Sequence, residues 1–243
     1  MRYAILSDIH GNLEAFEAVL KDLTGTDIQK LIFLGDIVGY GPNPDECITL
    51  LREKFDVMIA GNHDWAVAGK TDINTFNSVA RHALEWTIDH LSPDDKNFLA
   101  ELPLKKEEEG LTFVHASPLN PEDWTYIFSG HEALRNLRAF KYDLCFVGHS
   151  HIPSVFVLNE FDELFFSKNF SEIILEGKIR FLINVGSVGQ PRDGSSLASY
   201  GILDMKERVF YLRRVRYSFE TTQKKILSAG LPFILAERLA RGW

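Results

Sequence analysis

Apolar residues in this chain fall into short runs that stop abruptly at polar ones. Tyr3-Ala4-Ile5-Leu6 ends at Ser7-Asp8, Leu31-Ile32-Phe33-Leu34 at Gly35-Asp36, Val57-Met58-Ile59-Ala60 at Gly61-Asn62, and Leu144-Cys145-Phe146-Val147 at Gly148-His149. Runs of this length bounded by turn residues predict buried strands. Between the first two, Leu13, Phe16, Leu20 and Leu23 recur at helical spacing behind Asn12, a residue type that caps helices. A second helix is predicted from about Asp45, after the Gly/Pro-rich loop GYGPNP. Strand, helix, strand, helix, strand predicts a parallel sheet with crossover helices.

Residues 65–101 are mostly helical in pattern. Leu102 to Lys106 and Leu111 to His115 predict a hairpin around the acidic turn KEEEG, and residues 130–140 a helix. Val155 to Leu158, Leu164 to Phe166, Ile179 to Asn184, Tyr200 to Asp204 and Val209 to Val215 are strand-like. From Phe219 onward two short helices are expected, broken near Gly230-Leu231-Pro232. No linker, repeat or low-complexity stretch divides the chain. The expectation is one domain over 1–243, with two sheets flanked by helices, a helical insertion at about 65–101 and a helical tail at about 218–243. The insertion is longer than a minimal connection. Its Trp65, Phe76, Trp86 and Phe98 are expected mostly in the core, and the segment is expected to wall one side of any ligand site the chain carries.

Composition narrows the class. Of 243 residues, 45% are hydrophobic and 25% charged, the balance of a soluble globular protein. No apolar run is long enough to span a bilayer. The opening MRYAILSD enters a strand at once without a basic leader, so a cytoplasmic protein with no membrane partner is expected. The net charge of −8 disfavours nucleic acid as a main partner. The RRVR run at 213–216 accordingly reads as an exposed strand. Cys47 and Cys145 lie inside apolar segments and read as buried free thiols.

Chemistry enters through position. Asp8, Asp36, Asn62, His115 and His149 each come at or just after the end of an apolar strand, the edge where ligands bind in α/β sheets. Asp8 and His10 are two residues apart and project to one side if strand geometry continues; His149 and His151 repeat the device. Glycines at 35, 61 and 148 precede these residues and let the backbone turn and approach closely. The series DIH, GD, GNHD, His115 and GHSH takes five of the eight histidines, so chance is a poor account of it. His82, His90 and His131 lie on helical patterns and are assigned no chemistry.

This ordered set resembles the calcineurin-like metallophosphoesterase family. GYGPNPDE, NVGSVGQPR and LAERLARG also resemble its bacterial and archaeal phosphodiesterase-like branch, so the likeness spans nearly the whole chain. It implies an α/β (α+β) fold, the family's four-layer αββα sandwich. It implies two divalent metal ions, one held by Asp8, His10, Asp36 and His151, the other by Asp36, Asn62, His115 and His149, with Asp36 bridging. Carboxylate, amide and imidazole ligands suit Mn²⁺, the metal the family implies first, but also Fe²⁺, Zn²⁺, Co²⁺, Ni²⁺ or Mg²⁺. The implied reaction is hydrolysis of phosphate esters, phosphodiesters first, by a metal-bridging hydroxide. His63 is the implied general acid, and Asp64 is expected to orient its ring.

Three further residues are candidates for substrate binding. Asn12 is either the helix cap alone or also a phosphate contact. Tyr40 lines the pocket or packs under its turn. Arg192 binds phosphate bidentately or forms a surface salt bridge. The expected partner is a small phosphorylated substrate. The alternatives are a phosphomonoesterase or protein phosphatase, a dinucleoside polyphosphate hydrolase, and a non-catalytic scaffold on the same fold; the complete GNHD and ligand series favour an enzyme over the scaffold. An apolar face on the C-terminal helices leaves a homo-oligomer open.

Overall fold

The computed structural model describes residues 1–177 and 179–243. In chain order the elements are β1 (Arg2–Leu6), α1 (Leu13–Asp22), β2 (Lys30–Phe33), α2 (Pro44–Lys54), β3 (Val57–Met58), α3 (Asn62–Val67), α4 (Ser78–His90), α5 (Pro93–Glu101), β4 (Lys105–Glu108), β5 (Leu111–Val114), α6 (Gly130–Leu137), β6 (Leu144–Val147), β7 (Ser154–Leu158), β8 (Leu164–Ser167), β9 (Glu172–Ile174), β10 (Arg180–Asn184), β11 (Ala198–Asp204), β12 (Val209–Val215), α7 (Phe219–Ser228) and α8 (Phe233–Arg241). Two six-stranded sheets form, ordered β3-β2-β1-β11-β12-β9 and β4-β5-β6-β10-β7-β8. Each is mixed. β1, β2 and β3 are parallel in the first, and β5, β6 and β10 in the second.

The strands alternate between two apolar environments, which is what stacks the layers. In β1, Tyr3 and Ile5 face the space between the sheets, while Ala4 and Leu6 face the helices. In β6, Leu144 and Phe146 face inward, while Cys145 and Val147 meet Ala133, Leu137 and Phe140 on the α6 side. Helices α1 and α2 cover the first sheet with Phe16, Val19, Ile48 and Leu51. The result is helix, sheet, sheet, helix. Strands buried on both faces explain why the sequence showed continuous apolar runs instead of alternation.

Asn12 caps α1 by accepting from Ala15 N–H, as expected. The insertion comprises α3, a single 3-10 turn, α4 and α5. Its Trp65, Phe76 and Phe98 pack partly buried against the helix-side core, and Trp86 against a separate cluster where α4 meets α7 and α8. That cluster buries Ile226, Leu231, Leu235 and Leu239 against Ala80, Ala83 and Tyr40, so most of the apolar face on the C-terminal helices is used within the chain. Strand β9 went unforeseen: it is three residues long and pairs only with β12. Among the described residues no helix is long and apolar enough to cross a membrane.

Phe146 tests the inter-sheet core. It is fully buried with Phe113 and Phe210 at 6.0 and 5.6 Å between ring centroids. Phe146→Ala is expected to lower stability by about 3–5 kcal/mol, read from the midpoint of urea unfolding; a loss under about 1 kcal/mol contradicts the packing described.

Candidate metal centre

The parallel strands β1, β2 and β3 of one sheet and β5 and β6 of the other end at one edge, and the candidate ligands sit in the loops that follow. The backbone there is not strand. Asp8, His10, Asp36, His149 and His151 all have positive φ, between 50° and 64°. Asp8 and His10 therefore face the site through two left-handed residues, and the expectation that β1 simply continues is corrected. Each such residue costs about 1–2 kcal/mol, and the loops compensate by lacing together. Asp8 N–H donates to Gly35 O at 3.0 Å, His10 N–H to Asp36 O at 3.0 Å, Gly189 N–H to Asp8 O at 2.9 Å and Gly148 N–H to His115 O at 2.8 Å. Two glycines are required by proximity. A Cβ on Gly61 would lie 2.0 Å from Asp36 Oδ1, and one on Gly148 1.9 Å from Ser7 Oγ.

Each carboxylate is held by one oxygen and offers the other. Asp8 Oδ2 accepts from His149 N–H at 3.0 Å, and Asp36 Oδ1 from His63 N–H at 2.9 Å. Asp36 Oδ2 then lies 3.6 Å from His10 Nε2 and 3.3 Å from His115 Nε2, between the two proposed ligand sets. Asp8 Oδ1 lies 3.3 Å from His151 Nε2 and has no hydrogen-bond partner. His10, His115 and His151 donate from Nδ1 to the carbonyls of Val38, Leu34 and Gln190 at 2.9, 2.8 and 2.6 Å. A carbonyl only accepts, so these rings carry a proton on Nδ1 and turn Nε2 inward, as a lone pair in His10 and His151 and as the nitrogen facing the Asp36 carboxylate in His115.

That arrangement fits metal ions. The Nε2 atoms of His10 and His151 face each other at 3.2 Å, two lone pairs with no proton to share. His149 Nδ1 faces His115 Nε2 at 3.2 Å, and the buried Asn62 Oδ1 has no partner. Asp8, His10 and His151 form one potential ligand group, and Asp36, His115 and His149 another. All six are buried. Burial pushes the Asp8 carboxyl up to about 7, against the opposing pull of His115. Burial alone would keep His115 neutral, but the Asp36 carboxylate beside it prevails and holds it up at about 9. His10 and His151 are driven well below the usual imidazole range by burial. A divalent cation removes this conflict by replacing the protons.

The remaining candidates divide. His63 is buried and borders Asp36 and His10. Its ring is set by aromatic neighbours, Tyr40 at 4.5 Å and Phe76 at 5.2 Å between centroids. The expectation that Asp64 orients it is corrected. Asp64 Oδ1 accepts from Ile37 and Val38 N–H, and Oδ2 from Asp36 and Gly61 N–H. Adjacent residues on a helix do not face each other, so Asp64 ties down the Asp36 loop instead. Asn12 is the cap and no more: Oδ1 accepts from Ala15 N–H and Thr222 Oγ1, and Nδ2 donates to Gly189 O and Tyr217 Oη, which fills its capacity. Tyr40 lies against both His10 and His63, so it does line the site. Arg192 makes no salt bridge among the described residues; it donates to Gln190 Oε1 and lies over the Tyr40 ring at 5.7 Å. His82, His90 and His131 are exposed and apart from the centre.

Beside Asn62, His63 and His149 opens a cavity of about 270 Å³. The insertion contributes Thr71, Thr75, Phe76 and Asn77 to its lining, so the expected wall is present, and Trp124 and Tyr126 line it as well. Tyr126 stacks on His149 at 4.0 Å. Sequence reading missed these two aromatics because the loop after β5 has no periodicity. Their only signal was large aromatic residues in a Pro/Asn-rich stretch.

Residues 1–153 match the model of the Calcineurin-like phosphoesterase family. The chain belongs to that family. Its relatives include an uncharacterised protein of Methanocaldococcus jannaschii, 43% identical over 98% of this chain and 97% of that one. Phosphodiesterase YfcE of Escherichia coli K12 is 28% identical over 84% of this chain and 88% of its own. The crystal structure of a metallophosphoesterase from Sphaerobacter thermophilus superposes with a TM-score of 0.87 at 39% identity, covering 100% of this chain and 99% of that one. The fold is thus the mixed α/β arrangement of this family, its members imply divalent metal ions, and the protein is a phosphoesterase.

Loading a cation should displace protons, because His115 and Asp8 hold theirs up to about 9 and about 7 in the metal-free protein. Mn²⁺ affinity is therefore expected to rise as pH goes from 6 to 8, with net proton release. Calorimetric titration in buffers of different ionisation enthalpy reads both; proton uptake on binding contradicts the ligand assignment.

Proposed function

We propose that this phosphoesterase hydrolyses phosphodiesters at a dinuclear centre, with Asp8, His10, Asp36 and His151 holding one ion, Asp36, Asn62, His115 and His149 the other, and Mn²⁺ the native metal. The observation that carries this reading is the inward convergence of the Asp8 and Asp36 oxygens with the Nε2 atoms of His10, His115 and His151. The diester preference is supported by the printed activity of the Escherichia coli relative. The two buried, unpaired cysteines accord with a reducing, cytoplasmic setting. A ligand series with every position filled favours an enzyme over a scaffold.

Divalent ions bound by these residues would supply a nucleophile from water near neutral pH and would polarise the phosphoryl oxygens. The chain's own groups do the rest. His63 borders both the Asp36 cluster and the cavity, so an ester oxygen leaving toward the cavity meets its ring. Burial pulls His63 down to about 4, with Asp36 opposing, so the resting ring is neutral. The negative charge of a bound phosphoryl group favours its protonated form, and it takes up the proton it will deliver as the substrate arrives. Phe76, Trp124 and Tyr126 give the leaving group an aromatic wall, and Arg192, which forms no salt bridge among the described residues, is available to clamp phosphoryl oxygens.

Hydrolysis of bis-p-nitrophenyl phosphate and p-nitrophenyl phosphate, with Mn²⁺ and with chelator, is the direct test. Faster chelator-sensitive cleavage of the diester is expected; faster monoester cleavage moves the assignment to a phosphomonoesterase. His63→Ala is expected to retain metal by elemental analysis and lose about 10²–10⁴-fold in kcat; loss of metal would sink its role. Arg192→Ala should raise KM about tenfold or more with metal content intact, and an unchanged KM would leave Arg192 a loop residue.

A further inference from the structure

Helix α8 carries an arginine to the edge of the site. Arg238 Nη1 donates to Gln190 Oε1 at 2.9 Å, and Arg192 Nη2 donates to the same oxygen at 2.7 Å. Both guanidinium groups lie over the Tyr40 ring, at 5.7 Å for Arg192 and 6.0 Å for Arg238. Two cations thus share one neutral acceptor. Arg238 Nε is buried and has no hydrogen-bond partner. Among the described residues no carboxylate forms a salt bridge with either arginine, and the nearby acids are engaged elsewhere. Asp193 pairs with Arg214, and Glu237 with Arg241.

This placement is fixed by the fold. Gln190 and Arg192 lie on the loop after β10, parallel to β6 and opening at the same edge as the ligands. Gly194 N–H donates to Gly242 O at 2.9 Å and ties that loop to the end of α8. Leu235 and Leu239 of α8 are buried beside Tyr40. Burial and the Arg192 charge both work against the charged form of Arg238. Holding like charges together half-buried is costly unless an anion joins them.

We propose that Arg238 joins Arg192 in a two-guanidinium subsite that spans the scissile phosphoryl group, on the Arg192 side, and a second phosphate adjoining it, on the Arg238 side. Among the esters the centre cleaves, the preferred ones then carry a second, linked phosphate, as in a diphosphate or polyphosphate ester. The inference rests on the phosphoesterase reading above and names its substrate class. Tyr40 contacts His10 and His63 as well as both guanidinium groups, so the subsite adjoins the proposed metal centre. A single diester brings one negative charge to two metals and two arginines. A linked diphosphate brings more, and its forked oxygens match two guanidinium forks.

The test is calorimetric binding to the Mn²⁺-loaded full chain. The probes are inorganic phosphate and methylenediphosphonate, whose P–C–P link is not hydrolysed. The wild type is expected to prefer the diphosphonate, and Arg238→Gln to reduce the ratio of the two affinities about tenfold. Arg238→Lys keeps the charge without the fork and should reduce the ratio less. If Arg238→Gln does not fold by circular dichroism, Arg238→Lys carries the test, with a reduction of about threefold or more expected. An unchanged ratio in a folded variant overturns the subsite, as does an equal loss of both affinities, which would make Arg238 an anchor of the loop. Turnover of bis-p-nitrophenyl phosphate by the same wild-type preparation separates the two ideas. Turnover with an unchanged ratio keeps the phosphoesterase and removes the subsite. A changed ratio without turnover of any ester keeps the subsite and removes the phosphodiesterase reading.

Discussion

The structure is organised around two carboxylates, Asp8 and Asp36, buried among imidazoles whose inner ring nitrogens point at them and at each other. Such a cluster is expensive in a protein interior unless cations neutralise it. Much of the surrounding architecture serves to hold it. The second oxygen of each carboxylate is fixed by a backbone amide, and three of the histidines are turned by backbone carbonyls. Asp64 spends both its oxygens on the amides of the Asp36 loop and of Gly61.

The left-handed residues belong to the same account. A strand directs alternate side chains to opposite faces and cannot by itself bring residues from two stacked sheets to one point. Left-handed turns directly after the strands redirect Asp8, His10, Asp36, His149 and His151 toward a common centre. These conformations persist because the loops are cross-linked by backbone hydrogen bonds. Close packing at Gly61 and Gly148 excludes any side chain there, so the glycines of GNHD and GHSH are requirements of space.

Around this rigid centre the chain adds two walls of different origin. The insertion after β3 supplies residues 71–77 to the cavity beside His63. The C-terminal helices pack on α4 and Tyr40 and bring Arg238 over the Tyr40 ring. The candidate ligands are therefore carried by the loops at the sheet edges, and the surroundings of the site by peripheral helices.

The apolar runs and the polar residues that end them, which are local signals, marked the strands leading to the site and singled out Asp8, His10, Asp36, Asn62, His115, His149 and His151 as candidates; the αββα layering and the division into two ligand sets came from the family resemblance. The sequence alone also determined the cap role open to Asn12 and the two helices of the tail. Only the tertiary structure decided what depends on residues distant in the chain. It turned Asp64 from His63 to the backbone of residues 36–38, since that choice is set by where the β2 loop passes. It gave His149 its stack on Tyr126 and turned Arg192 to the Gln190 amide, with no salt bridge among the described residues. It also set Arg238 beside Arg192 although they are far apart in sequence, a juxtaposition with no periodic or compositional trace, because it arises from how a terminal helix packs on a loop.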